Sequence, residues 1–201
     1  MKIESKEIQN SSKLPNIIIT GTPGVGKSTL CEELVEIINK DFEEKFRIDG
    51  KEQLKMIHLN LSNIIKNERL YEEYDDELDA SIFSEELVNQ KLKKLNLQNG
   101  GYIIDFHDVN FLYENKYIDK IFLLTASTNV LYERLEKRNY TKDKIKNNIE
   151  CEIFQVIKED ILENYDDENI FVELQNNNLE DHDKNISFIQ KWIHSYMTQG
   201  F

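Results

Sequence analysis

The chain has 201 residues, 39% of them hydrophobic and 31% charged, and a net charge of −13. Such a composition allows a sizeable core and excludes an intrinsically disordered chain. No stretch approaches the roughly 18 apolar residues of a membrane span, and the acidic surplus opposes strong intrinsic nucleic-acid binding.

Residues 1–13 are polar and are expected to form a frayed extension. The opening MKIESKE has no apolar core and does not read as a signal peptide. A strand is predicted at 16–20 and a helix at about 26–40, with Leu30, Leu34, Ile37 and Ile38 on one face. Residues 41–54 are charge-rich and read as either a surface insertion or a poorly ordered helix end. A second strand is predicted at 56–61 and a short helix at 62–66, followed by the acidic run 71–79. The next helix spans 84–97, with Ser84 as its cap and Leu87, Leu92 and Leu95 as core candidates. Gly100 and Gly101 stop it before strands at 102–107 and 120–124. Helices are expected at 129–137 and 142–164, then a strand at 170–174 and a last amphipathic helix at 179–198, with Trp192 in the core.

The five strands read as continuous apolar runs alternating with helices. That pattern predicts an α/β fold of three layers, a central parallel five-stranded sheet flanked by helices. Cys31 and Cys151 both fall in predicted helices without metal-ligand spacing, so reduced intracellular thiols are expected and neither a zinc site nor a disulfide is. His58, His182 and His194 have no chemical context in the sequence and read as structural or surface residues.

Between the first strand and first helix lies GTPGVGKST at 21–29, a phosphate-binding loop of the form G-x-x-x-x-G-K-[ST]. Its glycines let successive N–H groups turn inward on an anion, and the following helix adds unpaired amides and its positive dipole end. Gly24, Val25, Gly26, Lys27, Ser28 and Thr29 are the candidate contacts to ATP phosphates, with Lys27 neutralising charge and the Ser28 hydroxyl ligating Mg²⁺. GTPase signatures of the N-K-x-D kind are absent, and the length leaves no room for a large ATPase module. A small kinase needs a basic lid. Arg134, Lys137, Arg138, Lys142, Lys144 and Lys146 supply one within thirteen residues, against only Glu136 and Asp143. Cations of this kind neutralise a transferring phosphoryl group; an ordinary solvated helix face is the alternative.

The strings LPNIIITGTPGVGKST at 14–29, YDDELD at 74–79, IDFH at 104–107, TNVLYERLEKR at 128–138 and NIECEIFQV at 148–156 resemble the adenylate kinase isoenzyme 6 family. The resemblance covers nearly the whole chain except the N-terminal extension and 41–54. It implies a P-loop nucleoside monophosphate kinase domain over 14–201, with an AMP-binding segment at about 60–83 and a short lid at about 137–147. It also implies ATP as substrate, Mg²⁺ as cofactor, AMP or a related monophosphate as acceptor, and a monomer in the nucleus and cytoplasm. A role in small ribosomal subunit maturation follows, with a small-subunit ribosomal protein and pre-ribosomes as partners.

By the same resemblance Arg138 is the lid arginine at the ATP site, with Arg134 one helical turn before it. Asp105 and His107 match the family's Asp-x-His element. Asp105 reads either as the carboxylate that holds Mg²⁺ through water or as a strand-end cap. His107 reads either as a phosphate- or water-positioning group that can move protons or as a buried hydrogen-bonded histidine. The family continues after Asp-x-His with Gly-Cys-Asp-x-Phe-Pro-Glu-Arg-Trp, whereas here Asn115 and Lys116 occupy the last two places; Thr125 and Lys66 stand where arginines are expected. The acidic run either latches onto the basic lid, receives a basic partner tail, or is a solvated loop. Three readings follow: an adenylate kinase, an ATP-switched assembly factor in which hydrolysis is the main activity, or a nucleotide-binding module without turnover.

Overall fold

A computed structural model of the protein describes residues 13–45, 54–75, 80–112, 115–167 and 169–199. Five strands form one parallel sheet: β1 (Ile17–Thr20), β2 (Ile57–Asn60), β5 (Tyr102–Asp105), β6 (Lys120–Thr125) and β7 (Phe171–Gln175). Their spatial order is β2-β5-β1-β6-β7, with β1 in the centre. A separate antiparallel pair joins β3 (Tyr71–Asp75) to β4 (Ala80–Phe83). The helices are α1 (Lys27–Lys45), α2 (Leu61–Glu68), α3 (Glu85–Lys93), α4 (Thr128–Lys137), α5 (Lys142–Ile153), α6 (Val156–Asn164) and α7 (Leu179–Gln199).

Alternate side chains of a strand face opposite sides of its sheet, so a strand covered on both sides must be apolar throughout. In β1, Ile17 and Ile19 join α1 and α7 through Leu30, Leu34, Ile38, Ile189 and Ile193, while Ile18 faces the other layer, with Leu61 and Ile65 of α2, Val88 of α3 and Ile161 of α6. Below β1, Asn16 is fully buried and makes polar contacts in three directions. It donates through Nδ2 to Leu97 O (2.6 Å) and Tyr117 O (2.9 Å), and its Oδ1 accepts from Tyr102 N at 3.2 Å. Its backbone N–H donates to Asp119 Oδ2 at 2.7 Å, and Tyr196 holds the other carboxylate oxygen at 2.7 Å.

Several elements differ from the sequence expectation. Helix α1 continues to Lys45, past the expected end at 40, because Phe42 is fully buried and meets the ring of His194 edge-on. The predicted helix 142–164 is two helices, broken where Gln155 takes φ 53°. The helix expected over 84–97 ends at Lys93; it buries Val88 and Asn89, leaving Leu87 exposed. Part of the acidic run is strand β3, paired to β4. His182 and His194 lie 2.9 Å and 3.0 Å from Glu33 Oε2 and Asp41 Oδ2, tying α7 to α1. Trp192 is half-buried, 5.8 Å from the ring of Phe122. Residues 1–12, 46–53 and 76–79 lie outside the described residues, and with them the expected extension, much of the expected insertion and the tip of the acidic run.

Deleting a buried aromatic side chain leaves a cavity worth about 3–5 kcal/mol. Phe42→Ala is therefore expected to lower the unfolding free energy by about that amount; urea denaturation against the wild-type chain measures it.

Candidate active site

The site lies at the carboxyl ends of β1 and β5, the edge where open α/β sheets bind ligands. After Thr20 the chain curls through Gly24 and Gly26, at φ 104° and 106°, into α1 at Lys27. At Gly26 a Cβ would stand 2.6 Å from Asn176 Nδ2, so no other residue fits there without displacing that amide. The first turn of α1 carries no acidic residue, which leaves its unpaired amides and positive dipole end to an external anion.

The back of the loop is clamped. Val25 O accepts from Asn176 Nδ2 at 2.7 Å and from Arg134 Nη1 at 3.2 Å. Arg134 also reaches Gly24 O at 3.5 Å and Asn177 O at 3.0 Å. In a trans peptide the carbonyl and the next N–H point opposite ways, so holding Val25 O aims the Gly26 N–H to the other side.

Lys27 Nζ donates across the loop to Gly21 O at 2.6 Å and Thr22 O at 3.2 Å. Burial pulls its pKa down from 10.5 to about 8; Asp105 is the largest opposing influence, and the Arg138 cation adds to the lowering. Desolvation by surrounding protein, then the Lys27 charge, depresses His107 from 6.5 to about 4, so its imidazole is neutral at pH 7, although the residue keeps an exposed surface. His107 stacks at a tilt on Phe106, centroids 4.5 Å apart.

Ser28, Asn60 and Asp105 meet beside the loop. Asn60 Nδ2 donates to Asp105 Oδ2 at 2.7 Å and to Ser28 Oγ at 3.2 Å, while Asn60 Oδ1 caps α2 through Asn63 N at 2.9 Å. Asp105 is buried. A hydroxyl and a carboxylate oxygen on one polar wall are hard donors of the kind Mg²⁺ takes, so the residues present fit that ion.

The basic residues separate into different places. Arg134 and Lys137 lie in the last turn of α4, and Arg138 caps its C-terminus with an exposed side chain. Lys142, Lys144 and Lys146 lie on α5, where Lys144 sits over the Tyr140 ring at 4.4 Å and exposed Lys146 pairs with Glu150 at 3.8 Å. One acidic side chain fastens this pair of helices to the loop: Glu152 of α5 accepts from Thr22 Oγ1 at 2.5 Å and from Ala126 N at 2.8 Å. At the positions that depart from the family pattern, Asn115 donates to Asn164 O at 3.1 Å and Lys116 lies over Tyr117 at 5.0 Å. Lys66 is in the last turn of α2, and Thr125 ends β6.

Sequence reasoning passed over Thr22, Asn60, Glu152 and Asn176. Asn60 alone carried a local signal, as an asparagine directly before a helix; the other contacts join segments more than a hundred residues apart.

The family model AAA_18, described as an AAA domain, matches residues 17–155. An adenylate kinase isoenzyme 6 homolog of Plasmodium falciparum is 66% identical over 186 residues, 92% of this chain and 98% of that protein. The homolog FAP7 of Saccharomyces cerevisiae is 35% identical, covering 92% of this chain and 85% of that one. A homolog from Drosophila melanogaster is also 35% identical, over 89% and 91%. Among solved structures, a gluconokinase from Sinorhizobium meliloti aligns over 90% of this chain and 97% of its own, with TM-score 0.47 and 14% identity. The phosphate loop, the buried carboxylate beside it and this kinship over nine-tenths of the length place the chain in the adenylate kinase isoenzyme 6 family, a family of P-loop nucleotide kinases.

Proposed function

We propose that the protein transfers the γ-phosphoryl group of ATP to AMP, giving two molecules of ADP. The convergence of Lys27, Ser28, Asn60 and Asp105 at the mouth of the amide-lined loop carries this reading. The triphosphate tail lies along the loop amides and the first turn of α1. Lys27 exchanges the carbonyls of Gly21 and Thr22 for the β- and γ-phosphate oxygens, which are charged and stronger acceptors. Ser28 and Asp105 would hold magnesium, which when bound would neutralise charge on those oxygens. Asn60 fixes the carboxylate and starts α2, so it joins the metal side of the site to the segment that receives AMP.

An AMP phosphate oxygen attacks the γ-phosphorus as the bond to the β-phosphate oxygen breaks. Arg138 brings positive charge to the transferring group, and Arg134 acts through the loop carbonyls it holds. Neutral His107 orients a phosphate oxygen or a water on the acceptor side. Excluding water at closure keeps the phosphoryl group from hydrolysis.

The decisive measurement is ADP formation with and without AMP, alongside release of inorganic phosphate. AMP-dependent ADP formation is expected, and Lys27→Ala should lower it by at least about a hundredfold, the usual cost of losing one preorganised charge donor. Phosphate release that ignores AMP would instead favour the assembly-switch reading. Neither product, with ATP still bound, would leave a binding module.

Asn60→Ala should raise the magnesium concentration for half-maximal rate on the order of 10–100-fold, as the loss of a ligand-orienting partner does. The Lys27 pKa of about 8 sets a pH dependence. Phosphates favour the ammonium form, so ATP affinity is constant well below pH 8 and falls as pH rises through it, with a proton taken up on binding above that pH. Calorimetry in two buffers of different ionisation enthalpy reads that uptake directly.

A further inference from the structure

Three potential metal-ligand atoms meet in an arrangement of which the kinase chemistry uses only the Asp105 carboxylate. Cys31 of α1, His58 of β2 and Asp105 of β5 offer a sulfur, an imidazole nitrogen and a carboxylate oxygen, all within 4.8 Å of one another. Sequence spacing hides this group, because each ligand comes from a different element. Cys31 is fully buried and Asp105 nearly so. His58 Nε2 is itself buried, without a hydrogen-bond partner, and lies 3.5 Å from Asp105 Oδ2. A buried ring nitrogen left unpaired costs stability.

Bonds of about 2.0–2.3 Å at tetrahedral angles hold neighbouring ligand atoms roughly 3.3–3.6 Å apart. The His58–Asp105 separation of 3.5 Å already matches two ligands of one ion. The remaining pairs lie within 4.8 Å, so a contraction of at most about 1.5 Å brings them into the range set by those bond lengths.

We propose that Cys31, His58 and Asp105 form a binding site for a borderline divalent metal ion of the zinc class. A sulfur, nitrogen and oxygen donor set selects zinc or cobalt over magnesium. Three protein ligands leave a fourth position for water. Binding replaces the Cys31 thiol proton with the metal and releases that proton to solvent; no oxidant or reductant takes part. An ion held there draws Asp105 Oδ2 from Asn60, so zinc and magnesium-dependent turnover compete for one carboxylate. The binding itself does not rest on the kinase reading.

Cobalt(II) titrated into the full chain, with a non-thiol reductant and no nucleotide, tests it. Expected are a thiolate-to-cobalt charge-transfer band and intense tetrahedral d–d bands that saturate at one equivalent and disappear on adding zinc. Cys31→Ala and His58→Gln should each lose the charge-transfer or tetrahedral signature, with circular dichroism confirming that at least one remains folded, while Cys151→Ser keeps both. The proposal is overturned if the wild-type chain gives only a weak octahedral spectrum. It is equally overturned if Cys31→Ala retains the band or Cys151→Ser removes it. In the magnesium-dependent assay, zinc should inhibit the wild type at least tenfold more strongly than Cys31→Ala. Absence of kinase turnover would sink the kinase reading and leave the cobalt spectrum standing.

Discussion

The orientation of one backbone carbonyl governs the rest of the site. Val25 O is gripped from behind by Asn176 and Arg134, and the planarity of the peptide turns that grip into a direction for the amide on the opposite side. The two gripping residues come from distant parts of the chain, the end of β7 and the last turn of α4. The loop is therefore preorganised by the fold, not by its own glycines, which only permit the path. Preorganised donors need no reorganisation when charge develops, and this is the source of their catalytic value.

Electrostatics at the site run against those of the chain. The molecule carries a net charge of −13, yet Lys27 and Arg134 both hold loop carbonyls, with the Arg138 charge felt by each. Burial, and secondarily the Arg138 charge, pulls the pKa values of Lys27 and Arg134 down. Asp105 offsets this lowering at Lys27, and Glu152 anchors α5 through Thr22 Oγ1 and Ala126 N. A polyanion would relieve the repulsion, so the same charges that cost stability in the fold favour binding.

Much of the architecture was legible because the governing patterns are local. Ile17-Ile18-Ile19 and Ile121-Phe122-Leu123-Leu124 read as strands buried on both faces, and the phosphate loop declared its own geometry. What stayed hidden was set by distant partners. Nothing in the string around Gln155 announces a left-handed residue that splits one helix in two. The pairing of β3 with β4 depends on backbone hydrogen bonds in a segment that the sequence marked only as an acidic run. Leu87 looked like core by composition, but the register of α3 turned Val88 and Asn89 inward instead. Asn176 and Glu152 are ordinary residues until folding brings a loop carbonyl or hydroxyl to them.

The double-sided burial of β1 has a price elsewhere in the chain. A strand with isoleucine on both faces carries no hydrophobic code for its own alignment, since sliding by one position trades apolar for apolar. Such a slide would lift the phosphate loop by roughly 3.3 Å relative to Asp105 and ruin the site while sparing the core. Asn16 supplies the missing ruler. Its amide can satisfy Leu97, Tyr117 and Tyr102 together at only one height, so a polar peg at the foot of the sheet calibrates the catalytic end.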